Sequence, residues 1–90
     1  MPKIILKITH PVGLHARPAS LFVQTASRFK STVVVACGSR TVDAKSIIGV
    51  LSLGASQGSE IEITAEGVDA NDALKALQFI VESNFSTNKE

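Results

Sequence analysis

The chain opens on a strict alternation. Ile4, Leu6 and Ile8 lie on one side and Lys3, Ile5, Lys7 and Thr9 on the other, the period-two pattern of a strand with one buried face. His10-Pro11-Val12-Gly13 breaks it, as Pro and Gly do, and His10, next to Pro11, is expected as an exposed turn residue. From about Ala16 the period changes. Pro18, Leu21, Phe22, Thr25, Ala26 and Phe29 recur three and four apart, which predicts a helix with one apolar face. Pro18 suits its first turn, where a missing N–H costs nothing. Thr32 to Ala36 is β-branched and too short for a helix, and Gly38-Ser39 reads as a hairpin turn into Arg40 to Asp43.

Ser46 is a favoured N-cap, so a short helix from about Ile47 to Leu53 follows despite Gly49. Gly54 and Gly58 bracket a loop. Glu60 to Glu66 then alternates without a fault and predicts a strand. Asp69 can cap the last helix, with Asp72 adding negative charge in its first turn. Ala73, Leu74, Leu77, Ile80 and Val81 form its buried stripe, extended by Phe85, and Ser86 to Glu90 reads as a polar, frayed tail. The order βαββαβα predicts a two-layer α+β fold, with helices covering one face of a four-stranded sheet and water on the other.

Ninety residues are one domain's worth of chain, taken as 1–90, and 44% hydrophobic against 19% charged residues is a globular composition. A chain this short buries roughly 60–65% of its unfolded surface, leaving little room for a deep substrate cavity. Chemistry at the surface, against a partner, is the expectation. Cys37 is alone, which excludes an intramolecular disulfide and a Cys-rich metal site; it reads as a small apolar residue. No signal-peptide pattern opens the sequence and no apolar run approaches the roughly 20 residues of a membrane span, so a soluble cytoplasmic protein without membrane insertion is expected.

Gly13-Leu14-His15-Ala16-Arg17-Pro18 is the chemically loaded stretch. A helix N-terminus offers unpaired N–H groups and partial positive charge to an anion such as phosphate. Here an imidazole sits at that end with a guanidinium two residues on, and a phosphorylated ring would be stabilised there by charge-assisted hydrogen bonds. Gly13 allows a sharp turn and a close approach. Spacing alone leaves two roles open for His15, a solvated loop residue or a nucleophile. A metal role has little support, because His10 and His15 are the only histidines and no carboxylate cluster stands near them.

Gly-Leu-His-Ala-Arg-Pro-Ala-Ser at 13–20, with Asp-Ala-Lys-Ser-Ile-Ile-Gly-Val-Leu-Ser-Leu-Gly at 43–54, resembles the phosphocarrier protein HPr family of the bacterial phosphoenolpyruvate:sugar phosphotransferase system. The resemblance spans essentially the whole chain and includes both phosphorylation motifs of the family. It implies an open-faced β-sandwich with a four-stranded antiparallel sheet and three helices on one side. It implies further that His15 takes a phosphoryl group on Nδ1 from enzyme I and passes it to an enzyme IIA domain, that Arg17 contacts the phosphoryl group, and that no cofactor is needed. Such a protein is a carrier rather than an enzyme, and a monomer is expected.

Lys45-Ser46-Ile47-Ile48-Gly49 resembles the regulatory serine segment of the family in Gram-positive bacteria and some others, where an HPr kinase/phosphorylase modifies the serine, and the capping role of Ser46 need not be displaced by that. A phosphate there would add about −1.5 to −2 charges beside Ile47, Ile48 and Leu51 and weaken docking to enzyme I. Those three residues are read either as core or as an exposed partner-binding patch. Many Gram-positive relatives carry Met at positions 48 and 51, a departure that bears on a regulatory partner such as a catabolite-control transcription factor.

Other functional classes ask for features of a different kind. An RNA-recognition sheet wants exposed aromatics on its strands, but the chain has no Trp or Tyr and its Phe residues lie in or near helical segments. A regulatory or nitrogen-branch HPr paralogue that signals without sugar transport would share the same motifs. The net charge of +1 argues against nucleic acid as a ligand. It conceals an asymmetry: residues 1–45 carry seven basic groups and one acidic, residues 46–90 two basic and seven acidic. Arg17, Arg28, Lys30 and Lys45 belong to the basic half, so an acidic or phosphate-bearing protein is the expected partner, with salt-sensitive association.

Overall fold

Alternation and helical periodicity resolve into seven elements in a computed structural model that describes residues 2–85. They are β1 (Lys3–Lys7), α1 (Ala16–Ser27), β2 (Thr32–Cys37), β3 (Arg40–Asp43), α2 (Ile47–Ser52), β4 (Glu60–Glu66) and α3 (Ala70–Glu82). The expected order βαββαβα is the observed one; the tail expected at 86–90 lies outside the described residues. The strands form one antiparallel sheet in the order β1-β4-β2-β3. Ile4 pairs with Ile63 and Val35 with both Ile63 and Val42, so apolar residues stack across the sheet on the helical side.

That face holds the core. Leu6, Val33, Val35, Ile61, Ile63 and Ala65 from the sheet meet Phe22 and Ala26 of α1, Val50 of α2, and Ala73, Leu74, Leu77, Ile80 and Val81 of α3. Each large side chain fully removed from water contributes roughly 1.5–3 kcal/mol. The other face is polar, as the alternation requires. Lys3 bridges to Glu62 at 3.1 Å there, and Ile5 is its exposed exception. Helix α2 runs one residue shorter than expected, because Leu53 is the C-cap and turns its side chain into the core.

Three local expectations are corrected. Phe29 lies beyond α1, which ends at Ser27, and reaches the core through a tight turn in which its N–H donates to Ala26 O at 3.2 Å. Asp69 stands at the N-cap of α3 without capping it. Its carboxylate instead accepts from Lys30 N (2.9 Å), Ser31 N (2.9 Å) and Ser31 Oγ (2.5 Å), clamping the α1–β2 loop to the β4–α3 turn. The hydroxyl of Ser31, followed by the amides of Lys30 and Ser31, lowers the Asp69 pKa from 3.8 to about 2, since donors to a carboxylate favour its charged form. Lastly, His10 is not a free turn residue. It is half-buried, accepts from Val12 N through Nδ1 at 3.1 Å, and sets its ring edge-on to Phe85 at 5.9 Å.

Candidate functional site

The segment from 8 to 14 is seated by the loop before β4. Ile8 N donates to Ser59 O, Gly58 N to Ile8 O, and Leu14 N to Ala55 O. Gly13 makes the close approach possible: at φ +75° a Cβ would sit 2.6 Å from Ala55 O and 2.7 Å from Ser56 Cα, nearer than real Cβ atoms come. Leu14, fully buried, anchors the next position in the core. His15 follows as the N-cap of α1 in extended conformation (φ −133°, ψ 164°), half-buried, with no capping bond from its side chain. Its carbonyl accepts from Ala19 N at 3.4 Å.

The first helical residue, Ala16, holds φ +50°, a left-handed conformation that costs a non-glycine residue roughly 1–2 kcal/mol. Pro18 has no N–H, so Ala16 and Arg17 supply the unpaired amides of the first turn. Arg17 is exposed. An imidazole that makes no capping bond and an exposed guanidinium thus stand two residues apart at the N-terminus of α1. Two hollows, of about 410 Å³ beside Glu66, Val68, Asn71 and Asp72 and about 140 Å³ beside Ile5, Ala36 and Glu60, are lined by other residues.

Ser46 caps α2: its Oγ accepts from Gly49 N at 3.1 Å. Gly49 lets the helix pass close to β3, since a Cβ would lie 3.2 Å from Val42 Cβ. Of α2 only Val50 is buried; Ile47, Ile48 and Leu51 are 40%, 78% and 40% exposed. These three apolar side chains face water on a helix that packs against α1. Lys45 is not free, because its Nζ donates to Phe29 O at 2.7 Å, and Arg28 lies over the Phe29 ring at 5.9 Å.

Cys37 is half-buried and unpaired at the end of β2. The four phenylalanines lie in or just after α1 and α3, off the open sheet face. Among the described residues no group of three or more His, Cys, Asp or Glu is placed to hold a metal, and no helix is long and apolar enough to cross a membrane. Residues missed by sequence reasoning are those whose role is to hold others: Ala55 and Ser56, which seat Gly13, and Phe85, which seats His10.

The family described as PTS HPr component phosphorylation site matches residues 3–83. The phosphocarrier protein HPr of Treponema pallidum (strain Nichols) is 41% identical over 80 residues, 89% of this chain and 91% of that protein. Among solved structures, HPr-C-His from Thermoanaerobacter tengcongensis is 49% identical with a TM-score of 0.93, covering 94% of this chain and 96% of that one. An HPr dimer from the same organism, also 49% identical, covers 96% and 99% with a TM-score of 0.78.

Proposed function

The chain belongs to the HPr phosphocarrier family of the phosphotransferase system, and from that premise we propose that His15 is its phosphoryl acceptor and donor. In this reading a lone pair on Nδ1 attacks the phosphorus presented by phospho-enzyme I. The donor's bond to phosphorus breaks as the P–N bond forms, and the reverse exchange delivers the group to an enzyme IIA domain. The reading is carried by one observation: the His15 side chain caps nothing, at a helix end with Arg17 exposed beside it. Orphan amides and a guanidinium stabilise the dianion without a cofactor, and most of the catalytic work is positioning and charge compensation.

The reading takes residues 1–90 as one HPr-like domain acting as a cytoplasmic monomer; the dimer belongs to the Thermoanaerobacter protein. Ile47, Ile48 and Leu51 supply the apolar part of the docking surface, and Arg17 its charged part. Ser46 is the regulatory acceptor for an HPr kinase/phosphorylase. Its Oγ already meets an amide of α2, so a phosphate is tolerated by the fold while its charge disfavours apolar docking. A catabolite-control transcription factor is the regulatory partner that the same α2 surface would serve.

Incubation with enzyme I and phosphoenolpyruvate is expected to place one acid-labile phosphate on the protein and none on His15→Ala. Full labelling of His15→Ala overturns the assignment. Onward transfer to an enzyme IIA domain separates a sugar carrier from a paralogue that only signals. ATP-dependent, acid-stable labelling that disappears in Ser46→Ala tests the regulatory site.

A further inference from the structure

The turn that leads into His15 is tied at its start by a second histidine. Val12 N donates to Nδ1 of His10 at 3.1 Å, and Gly13 N donates to the carbonyl of the same residue at 3.0 Å. A ring nitrogen that accepts carries no hydrogen, so Nδ1 is bare and the neutral ring keeps its hydrogen on Nε2. The ring also stands edge-on to Phe85, 5.9 Å between centroids and 83° between planes. Phe85 is buried, and it and Asn84 both hold left-handed backbone, at φ +61° and φ +58°. Beside this contact the Thr9 hydroxyl donates to Asn84 Oδ1, and Gln57 Nε2 donates to Thr9 O at 3.1 Å. Two strained residues after α3 are thus held where they meet the loop that precedes the candidate acceptor.

We infer that His10 is a positioning residue for His15: the neutral ring, accepting from Val12 and resting on Phe85, fixes the turn that delivers Gly13 and Leu14 to their seat, and a second proton on the ring releases it. The inference rests on His15 as the acceptor. When both ring nitrogens carry hydrogen, Nδ1–H faces Val12 N–H and one of the two bonds of the turn is lost. Among the described residues, no carboxylate forms an ion pair with the ring. From the end of α3 the ring meets Phe85, with Asn84 beside it, and Glu82 there accepts from Gln78 at 3.1 Å. From the loop before β4 comes Gln57, an amide. Within its own segment the other titratable group is His15.

Two substitutions in the full-length chain separate the functions of the ring. His10→Asn keeps an acceptor for the amide two residues on, as asparagine does in turns, but has nothing to titrate. His10→Phe keeps an aromatic edge for Phe85 and loses the acceptor. Rates of phosphorylation by enzyme I are compared with wild type at each pH, so that the pH dependence of the donor cancels. Near pH 8, His10→Asn is expected within about twofold of wild type and His10→Phe about fivefold slower, the worth of one ordinary hydrogen bond. Under acidic conditions, where the ring takes a second proton, wild type should fall to the rate of His10→Phe while His10→Asn holds its advantage.

Amide resonances of Val12, Gly13 and Leu14 in the unphosphorylated protein give an independent readout. They should move with pH in wild type and stay fixed in His10→Asn. Identical pH responses in wild type and His10→Asn, or wild-type rates in His10→Phe, overturn the inference. Amides that respond as expected in a protein labelled elsewhere than His15 would uphold the turn and sink the functional reading instead.

Discussion

Two helix N-termini in this protein carry a polar residue at the same structural position and use it in opposite ways. At the start of α3, Asp69 is saturated: three donors from the α1–β2 loop converge on its carboxylate. At the start of α1, His15 is left without a capping bond, on a backbone that turns left-handed at the next residue. Neither residue caps its own helix. One N-terminus has become a clamp between loops, and the other leaves its imidazole without a capping bond. The difference shows that a polar N-cap reveals its role only through what occupies its side chain.

The sharpest way to break this contrast is a pair of substitutions. His15→Ala should abolish phosphorylation while leaving stability within about 0.5 kcal/mol, because the half-buried imidazole makes no capping bond that the substitution would remove. Asp69→Ala should do the reverse, lowering the denaturation midpoint while the native fraction is labelled at the wild-type rate; parallel labelling and urea titrations of both proteins decide it. Next comes Gly67→Ala, which forces φ +143° on a residue with a Cβ only 2.6 Å from Ser31 Oγ. Urea unfolding should show a loss of about 1–3 kcal/mol, the cost of a strained, overpacked backbone position.

The clamp also has a pH signature. Because the Asp69 pKa is lowered from 3.8 to about 2, the folded state binds its proton more weakly than the unfolded chain. Its contribution is therefore full above about pH 4 and is lost as pH falls towards 2. Urea midpoints of wild type and Asp69→Asn should converge across that window and stay apart at neutral pH. Ser46→Ala removes a true cap and should cost about 1 kcal/mol in thermal or urea unfolding. The smallest effect is expected from Ala16→Gly, which relieves the left-handed residue and should stabilise by up to about 1 kcal/mol.

Much of this architecture was legible in the chain. Strand β4 was evident because Ile61, Ile63 and Ala65 face one core without interruption. The Ser46 cap was evident because its partner, Gly49 N, is three residues away. What the chain concealed were contacts between distant segments. Nothing near Asp69 indicates that it meets Ser31, 38 residues earlier, and nothing near His10 indicates Phe85. The Ile47, Ile48 and Leu51 side chains were ambiguous for another reason. A helix of six residues needs only Val50 inward, and periodicity cannot choose a face over so short a span. For the candidate site, the motif singled out His15 and Arg17, while the seat beneath Gly13 is supplied by Ala55 and Ser56, a distant part of the chain.

The strand order has a consequence for how the molecule comes into being. Its longest-range ladder joins Lys3 to Thr64, so β1 finds its neighbour only after more than half the chain has been made and has closed a large loop. The seat for Gly13 and Leu14 belongs to that late closure, because Ala55, Gly58 and Ser59 lead directly into β4. A nascent chain can wind α1 and close the β2–β3 hairpin early. It gains a formed loop around His15 only when β4 docks, so a half-made carrier has the histidine without the surface that presents it.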